Sequence, residues 1–172
     1  MAGTALVVVD MLNDFLDPQG ALFFPGGREI IAFVAQRMQD IRQQGGAVIF
    51  VCDTHAPDDP EFRRFPPHAL KGEWGSQIIP ELEVLPEDHR VDKNTYDCFR
   101  DNDLEQLLAD HEVTAVEVAG VCTSICILEM ARGLFFRDLP CRVHSQGVAD
   151  FDPEAHAFAL KYMARVFGTQ VG

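Results

Sequence analysis

Short apolar runs alternate with amphipathic stretches along nearly the whole chain. Residues 5–9 (ALVVV), 47–51 (AVIFV), 89–92 (HRVD), 114–118 (TAVEV) and 141–144 (CRVH) read as five strands, most of them rich in β-branched side chains. Between them the apolar positions switch to helical spacing. Ile30, Val34, Met38 and Ile41 mark one face of a helix over about 27–44 that stops at Gly45-Gly46. Leu104, Leu107 and Leu108 do the same for 101–110, and another helix is expected over about 123–137. Asp152-Pro153 supplies the N-cap and first-turn proline of a last helix, with Ala155, Phe158, Ala159, Tyr162 and Val166 as its expected buried stripe. A short terminal strand is expected near 169–171.

Residues 54–87 break this rhythm. They hold six of the ten prolines and little periodicity, so they predict a long excursion over one sheet edge. Loops of that length in a compact domain tend to be functional. Alternating strands and helices predict an α/β fold with three layers, a mostly parallel central sheet covered on both faces. With 172 residues, one domain spanning 1–172 accounts for the chain.

Charge narrows the partners. A formal net charge of −13 disfavours nucleic acid and anionic membrane surfaces. No apolar run is long enough for a membrane span, and no basic segment followed by an apolar one suggests a secretory signal. Five cysteines, an odd number with no C-x-x-C pair, argue against a disulfide framework or a thiolate zinc site, and fit a reducing cytoplasm.

The chemistry lies where the strands end. The first strand runs into Asp10, the second into Asp53-Thr54-His55, the third into Lys93, and the fourth into a turn, Gly120–Cys126, that carries Cys122 and Cys126. In an open parallel sheet the strand C-termini share one edge, where ligands bind. Taken singly, a helix cysteine is more often a small buried hydrophobe, and a strand-end aspartate more often caps a turn. Convergence on one edge changes that weighting toward a cysteine hydrolase: Cys126 as nucleophile, Asp10 as proton acceptor and donor, Lys93 favouring the charged pair. A helix N-terminus and Lys93 are expected to lower the Cys126 pKa. The backbone amides of Cys122 and Cys126 are candidates for an oxyanion hole. Asp53 and His55 alternate on an extended segment and can reach one divalent ion, with His68 and Glu61 as further ligands. Oxygen and nitrogen donors suit Zn, Mn or Fe.

These segments resemble the isochorismatase-like cysteine hydrolases, and among them the nicotinamidases. The likeness is collinear from about Leu6 to Val171. It rests on LVVVDMLNDF (6–15), on Asp53-Thr54-His55 with FPPHALKGEWG (65–75), on KNTYDCF (93–99), on GVCTSIC (120–126) and on FDPE (151–154). The resemblance implies the isochorismatase-like fold and a catalytic triad of Asp10, Lys93 and Cys126. It implies a metal, zinc first, held by Asp53, His55 and His68, with Glu61 as an extra ligand. It also implies a cis peptide before Cys122 and assembly as a homo-oligomer. The activity implied is hydrolysis of nicotinamide to nicotinate and ammonia, the ring lying against Phe15, Trp74 or Tyr96. Ser124, Ser145-Gln146-Gly147 and a short His55–Glu61 loop depart from the usual pattern. They keep another small amide or N-carbamoyl compound as the alternative substrate.

Overall fold

The structure, a computed structural model, describes residues 3–172. Six strands form one sheet: β1 (Thr4–Val9), β2 (Ala47–Asp53), β3 (His89–Lys93), β4 (Ala115–Val121), β5 (Cys141–Ala149) and β6 (Gln170–Val171). They pair in the order β3-β2-β1-β4-β5-β6, every neighbour parallel. Successive strands step outward from β1 to one side, then from β4 to the other. The topological switch point therefore falls between β1 and β4, the place where α/β sheets open a crevice.

The helices are α1 (Asn13–Leu16), α2 (Gly26–Glu29), α3 (Ile31–Gln43), α4 (Leu104–Asp110), α5 (Leu128–Phe135) and α6 (Pro153–Tyr162). Because side chains alternate along β1, Leu6 and Val8 face one layer and Ala5, Val7 and Val9 the other. The first layer is packed by Val34, Met38 and Ile41 of α3, with Leu12, Phe15 and Ile79. The second is packed by Leu104 and Leu108 of α4, Met130, Ala131 and Leu134 of α5, and Ala159 of α6. This is the three-layer α/β/α arrangement the sequence predicts.

Three details differ from the sequence reading. The helix expected over 123–137 opens with a π-helical turn, Thr123–Ile127, before α5 begins. β5 runs on to Ala149, so Ser145-Gln146-Gly147 lies inside a strand, beside a register shift between Val118 and Gly120 of β4. The last helix is capped by Asp152 as expected, its Oδ1 accepting from the amides of Glu154 and Ala155. Its buried stripe is only partly the expected one, Ala159 alone of the five being fully buried. Ala159 and Met163 face the core, while Phe158, Tyr162 and Val166 are 62%, 38% and 45% exposed. The outward rings form a chain, Phe158–Tyr162–Phe167–Phe135–Phe136, with successive centroids 5.5 Å apart.

Candidate active site

At the end of β1 the backbone of Asp10 turns into the left-handed region (φ 53°). Its amide donates to Val51 O across to β2, and its Oδ1 accepts from the Asp53 amide at 2.7 Å. The carboxylate is thus fixed at the mouth of the sheet with its other oxygen, Oδ2, 2.9 Å from Lys93 Nζ. That contact is an ion pair without aligned hydrogen-bond geometry, since Oδ2 has no hydrogen-bond partner. Burial and the adjacent Asp53 charge push the Asp10 carboxyl up to about 6, against the opposing pull of Lys93. A carboxyl in that range can both take and return a proton near neutrality.

Lys93 ends β3 and is buried. Solvation loss would discharge it, but the two carboxylates outweigh that loss and hold its ammonium pKa well above the ordinary value. It donates to Asp53 Oδ1 and to Cys126 Sγ, the latter at 3.5 Å. Its chain neighbour Asp92 turns away and pairs with Arg90.

Cys126 sits in the π-helical turn after β4. Single-turn π segments inside helices recur at functional sites because they re-aim side chains. Just before the turn, β4 approaches β1 so closely that a side chain at Gly120 would meet the Val9 carbonyl at 2.0 Å, and Gly120 itself has φ 123°. The Val121–Cys122 peptide is cis, as the resemblance implies. Two later residues brace the turn: Asp150 Oδ2 accepts from the Ser124 amide at 2.7 Å, and His156 Nδ1 lies 2.8 Å from Thr123 Oγ1. One expectation is overturned here. Burial, with the Asp10 and Asp53 charges, raises the Cys126 thiol well above its usual pKa, and Lys93 does not cancel this. Burial thus favours the neutral thiol. Carboxylate oxygens of Asp10 and Asp53 and the sulfur of Cys126 all lie within 4.8 Å of one another.

Beside this triad, donor atoms of Asp53, His55 and His68 also lie within 4.8 Å of one another, all buried. Asp53 Oδ2 is 3.7 Å from His55 Nε2 and 4.0 Å from His68 Nε2, and His68 Nε2 is 3.7 Å from Glu61 Oε1. The outer nitrogens are held elsewhere: His55 Nδ1 by Asp59 Oδ2 at 3.0 Å, His68 Nδ1 by the Pro66 carbonyl at 2.8 Å. With Nδ1 so engaged, each Nε2 is left facing Asp53. His55 Nε2 is buried without a hydrogen-bond partner. An orphaned, inward-facing imidazole nitrogen beside a carboxylate is the donor set a divalent ion needs, and these residues fit one.

Both clusters reach a cavity of about 350 Å³, at the small end of ligand-site volumes, through Asp10, Cys126, Asp53 and His68, while Lys93 and His55 stand behind that wall. Asp10, Asp53, Glu61, His68, Cys122 and Cys126 supply its polar side. Its apolar walls include Phe15 and Tyr96, which the sequence reading names. Trp74 does not line it: that ring is 46% exposed and only its carbonyl is engaged, by Asn13. Sequence reasoning missed Ile125, Phe65, Phe151 and the wall formed by 21–24. Ile125 and Phe65 lie within motifs already singled out; residues 21–24 carry no periodic or motif signal.

An acid, a buried ammonium and a thiol thus stand together at the carboxyl ends of parallel strands in a three-layer α/β/α architecture. The isochorismatase domain model matches residues 4–172, and the chain belongs to that family. Among solved structures, the nicotinamidase PncA from Bacillus subtilis is 31% identical with a TM-score of 0.93, covering 99% of each chain. The N-carbamoylsarcosine amidase from Thermoplasma acidophilum is 31% identical, TM-score 0.89, covering 98% of this chain and 94% of that one. The pyrazinamidase of Pyrococcus horikoshii in complex with zinc is 25% identical, TM-score 0.93, covering 99% and 98%. These relatives support an amidohydrolase acting on a small amide.

Proposed function

We propose that the protein hydrolyses nicotinamide to nicotinate and ammonia through a thioester on Cys126. The observation that carries this reading is one small cavity lined at once by Asp10 and Cys126, with Lys93 paired behind them, and by Asp53 and His68, with His55 behind those. Asp10 takes the Cys126 proton as sulfur bonds to the carboxamide carbon. The former carbonyl oxygen, now anionic, is received by the backbone amides of Cys122 and Cys126. Lys93 keeps its proton and balances the charge on sulfur and carboxylate. When the C–N bond breaks, Asp10 returns its proton to the departing nitrogen and ammonia leaves. A water then attacks the thioester carbon while Asp10 takes its proton; breaking the C–S bond frees the acid, and Asp10 reprotonates the sulfur.

Asp53, His55 and His68 would hold a divalent ion, with Glu61 as fourth ligand. Zinc comes first, manganese and iron following, because the donors are nitrogen and oxygen; the zinc-bearing Pyrococcus relative supports that order. When bound, the ion would supply an electron-pair acceptor for the ring nitrogen of the substrate. Phe15 and Tyr96 flank the ring.

A second reading, hydrolysis of an N-carbamoyl amino acid, is favoured by the Thermoplasma likeness. The cavity lining speaks against it. Asp10, Asp53 and Glu61 are there, and among the described lining residues there is no arginine or lysine to receive a substrate carboxylate. A neutral ring amide fits better.

The deciding experiment is ammonia release from nicotinamide. Cys126→Ala is expected to lower kcat by a factor on the order of 10⁴ or more, and full activity in that variant would end the thioester reading. We also take the chain to act in a reducing compartment such as the cytoplasm, supported by five free cysteines, and to self-associate, supported by the outward aromatic chain of α5 and α6. Light scattering on the purified chain tests the latter.

A further inference from the structure

One side chain outside both clusters reaches two walls of the cavity at once. Asp14, in α1, is half-buried, and both of its carboxylate oxygens accept backbone amides. Oδ1 accepts from Ala21 at 3.0 Å, at the start of the 21–24 wall, and its own carbonyl accepts from Leu22 at 2.9 Å. Oδ2 accepts from Ala69 at 2.7 Å.

Ala69 is the residue that needs such help. It follows His68 directly, is fully buried, and is held in the left-handed region with φ 46°, where an alanine is strained. Its carbonyl in turn accepts the His55 amide at 2.9 Å. The run Asp14 Oδ2, Ala69 N–H, Ala69 C=O, His55 N–H therefore sets where one imidazole stands against the other, their centroids 4.9 Å apart. Space around the carboxylate is equally determined. A Cβ added at Gly75 would stand 2.0 Å from Asp14 Oδ2, so the chain at 75 has closed onto this group as far as a glycine allows.

We propose that Asp14 is a positioning residue for the proposed metal site and for the ring-binding wall together: one carboxylate ties the His68–Ala69 turn and the 21–24 segment to the same helical turn. This rests on the metal reading above. It predicts that changes at Asp14 act on ion affinity and on substrate KM without touching the Asp10/Lys93/Cys126 group.

The test uses the full chain loaded with Zn²⁺, titrated against a chromogenic chelator, and with Co²⁺, read by its visible spectrum. Asp14→Ala removes both acceptors and is expected to weaken Zn²⁺ affinity about 10–100-fold, the usual cost of losing an outer-shell partner. The cobalt bands shift and KM rises. Asp14→Asn keeps one acceptor and turns an NH₂ toward the other amide, so its loss is intermediate. Should Asp14→Ala fail to fold, Gly75→Ala decides the matter, since its methyl displaces the carboxylate without deleting it; the same loss of affinity is expected. A folded variant of either kind that binds Zn²⁺ within about twofold of wild type, with an unchanged cobalt spectrum, overturns the role of Asp14 alone. A wild-type protein that binds neither ion overturns the metal reading and this inference with it.

Discussion

Lys93 and Asp53 share a buried contact in which the ammonium donates to one carboxylate oxygen, while the other oxygen faces the imidazoles of His55 and His68. The proton-transfer group and the metal-type cluster thus have a side chain in common. Neither can be altered at Asp53 without the other feeling it.

Asp53→Asn should therefore lose on both counts. An amide cannot balance Lys93 as a carboxylate does, and it is a poorer ligand. Ion affinity is expected to fall by more than the roughly 10–100-fold that an outer-shell loss costs, with a large drop in kcat. His68→Ala, by contrast, should lose ion affinity while leaving the Lys93 contacts in place. Metal content and turnover measured on the same samples separate the two, and an Asp53→Asn protein with full metal content would contradict the shared role.

The cavity walls predict a contrast between two aromatic residues. Tyr96 lines the cavity and Trp74 lies outside it. Tyr96→Leu should raise KM for a ring amide roughly two- to tenfold, the range of one aromatic contact. Trp74→Ala should leave KM unchanged. Steady-state kinetics on both variants check this, and the reverse ranking would mean that the ring binds elsewhere.

A third prediction concerns stability rather than turnover. Glu117 of β4 receives Arg37 of α3 through two bonds of 2.6 Å and His144 of β5 at 2.5 Å, with Asp40 beside Arg37 at 3.6 Å. Burial resists its ionisation, but the His144 and Arg37 bonds prevail and hold its pKa at about 2, below the ordinary 4.5. A depressed acid contributes stability that is complete above its unfolded pKa and lost as pH falls toward the folded one. Glu117→Gln should thus cost roughly 2–3 kcal/mol at pH 7, as for hydrogen bonds to charged groups. The gap to wild type should close between about pH 4.5 and 2. Thermal melts across pH check it, and a gap that does not narrow in acid would refute the assignment.

Much of this was legible in the sequence because the informative signals were local. Four strands that run apolar and then stop on Asp10, Asp53, Lys93 or the Gly120 turn place those groups on one edge by topology alone. What sequence could not give was contact across strands. The convergence of Lys93 with Asp10 and Cys126 was expected, but its closer buried pairing with Asp53 of β2 was not. The expected drop in the Cys126 pKa counted the helix end and Lys93 but not the cost of complete burial. In the last helix both faces carry apolar residues, and periodicity, which found Ala159, could not choose Met163 over Phe158 and Tyr162 as its companion. Asp14 sat unread in a motif quoted for Asp10, since a carboxylate bonded only to backbone amides leaves no trace in its partners' side chains.

The strand order has a bearing on biosynthesis. Asp10, Asp53, His55, His68 and Lys93 all belong to the first three strands and their loops, on one side of the switch point, whereas the sulfur arrives with β4 on the other. A ribosome making this chain from its amino end releases every group of the proposed ion-binding and proton-handling sites before it has made the proposed nucleophile. The Cys126 thiol is thus delivered last, into a setting whose other parts have already been synthesised.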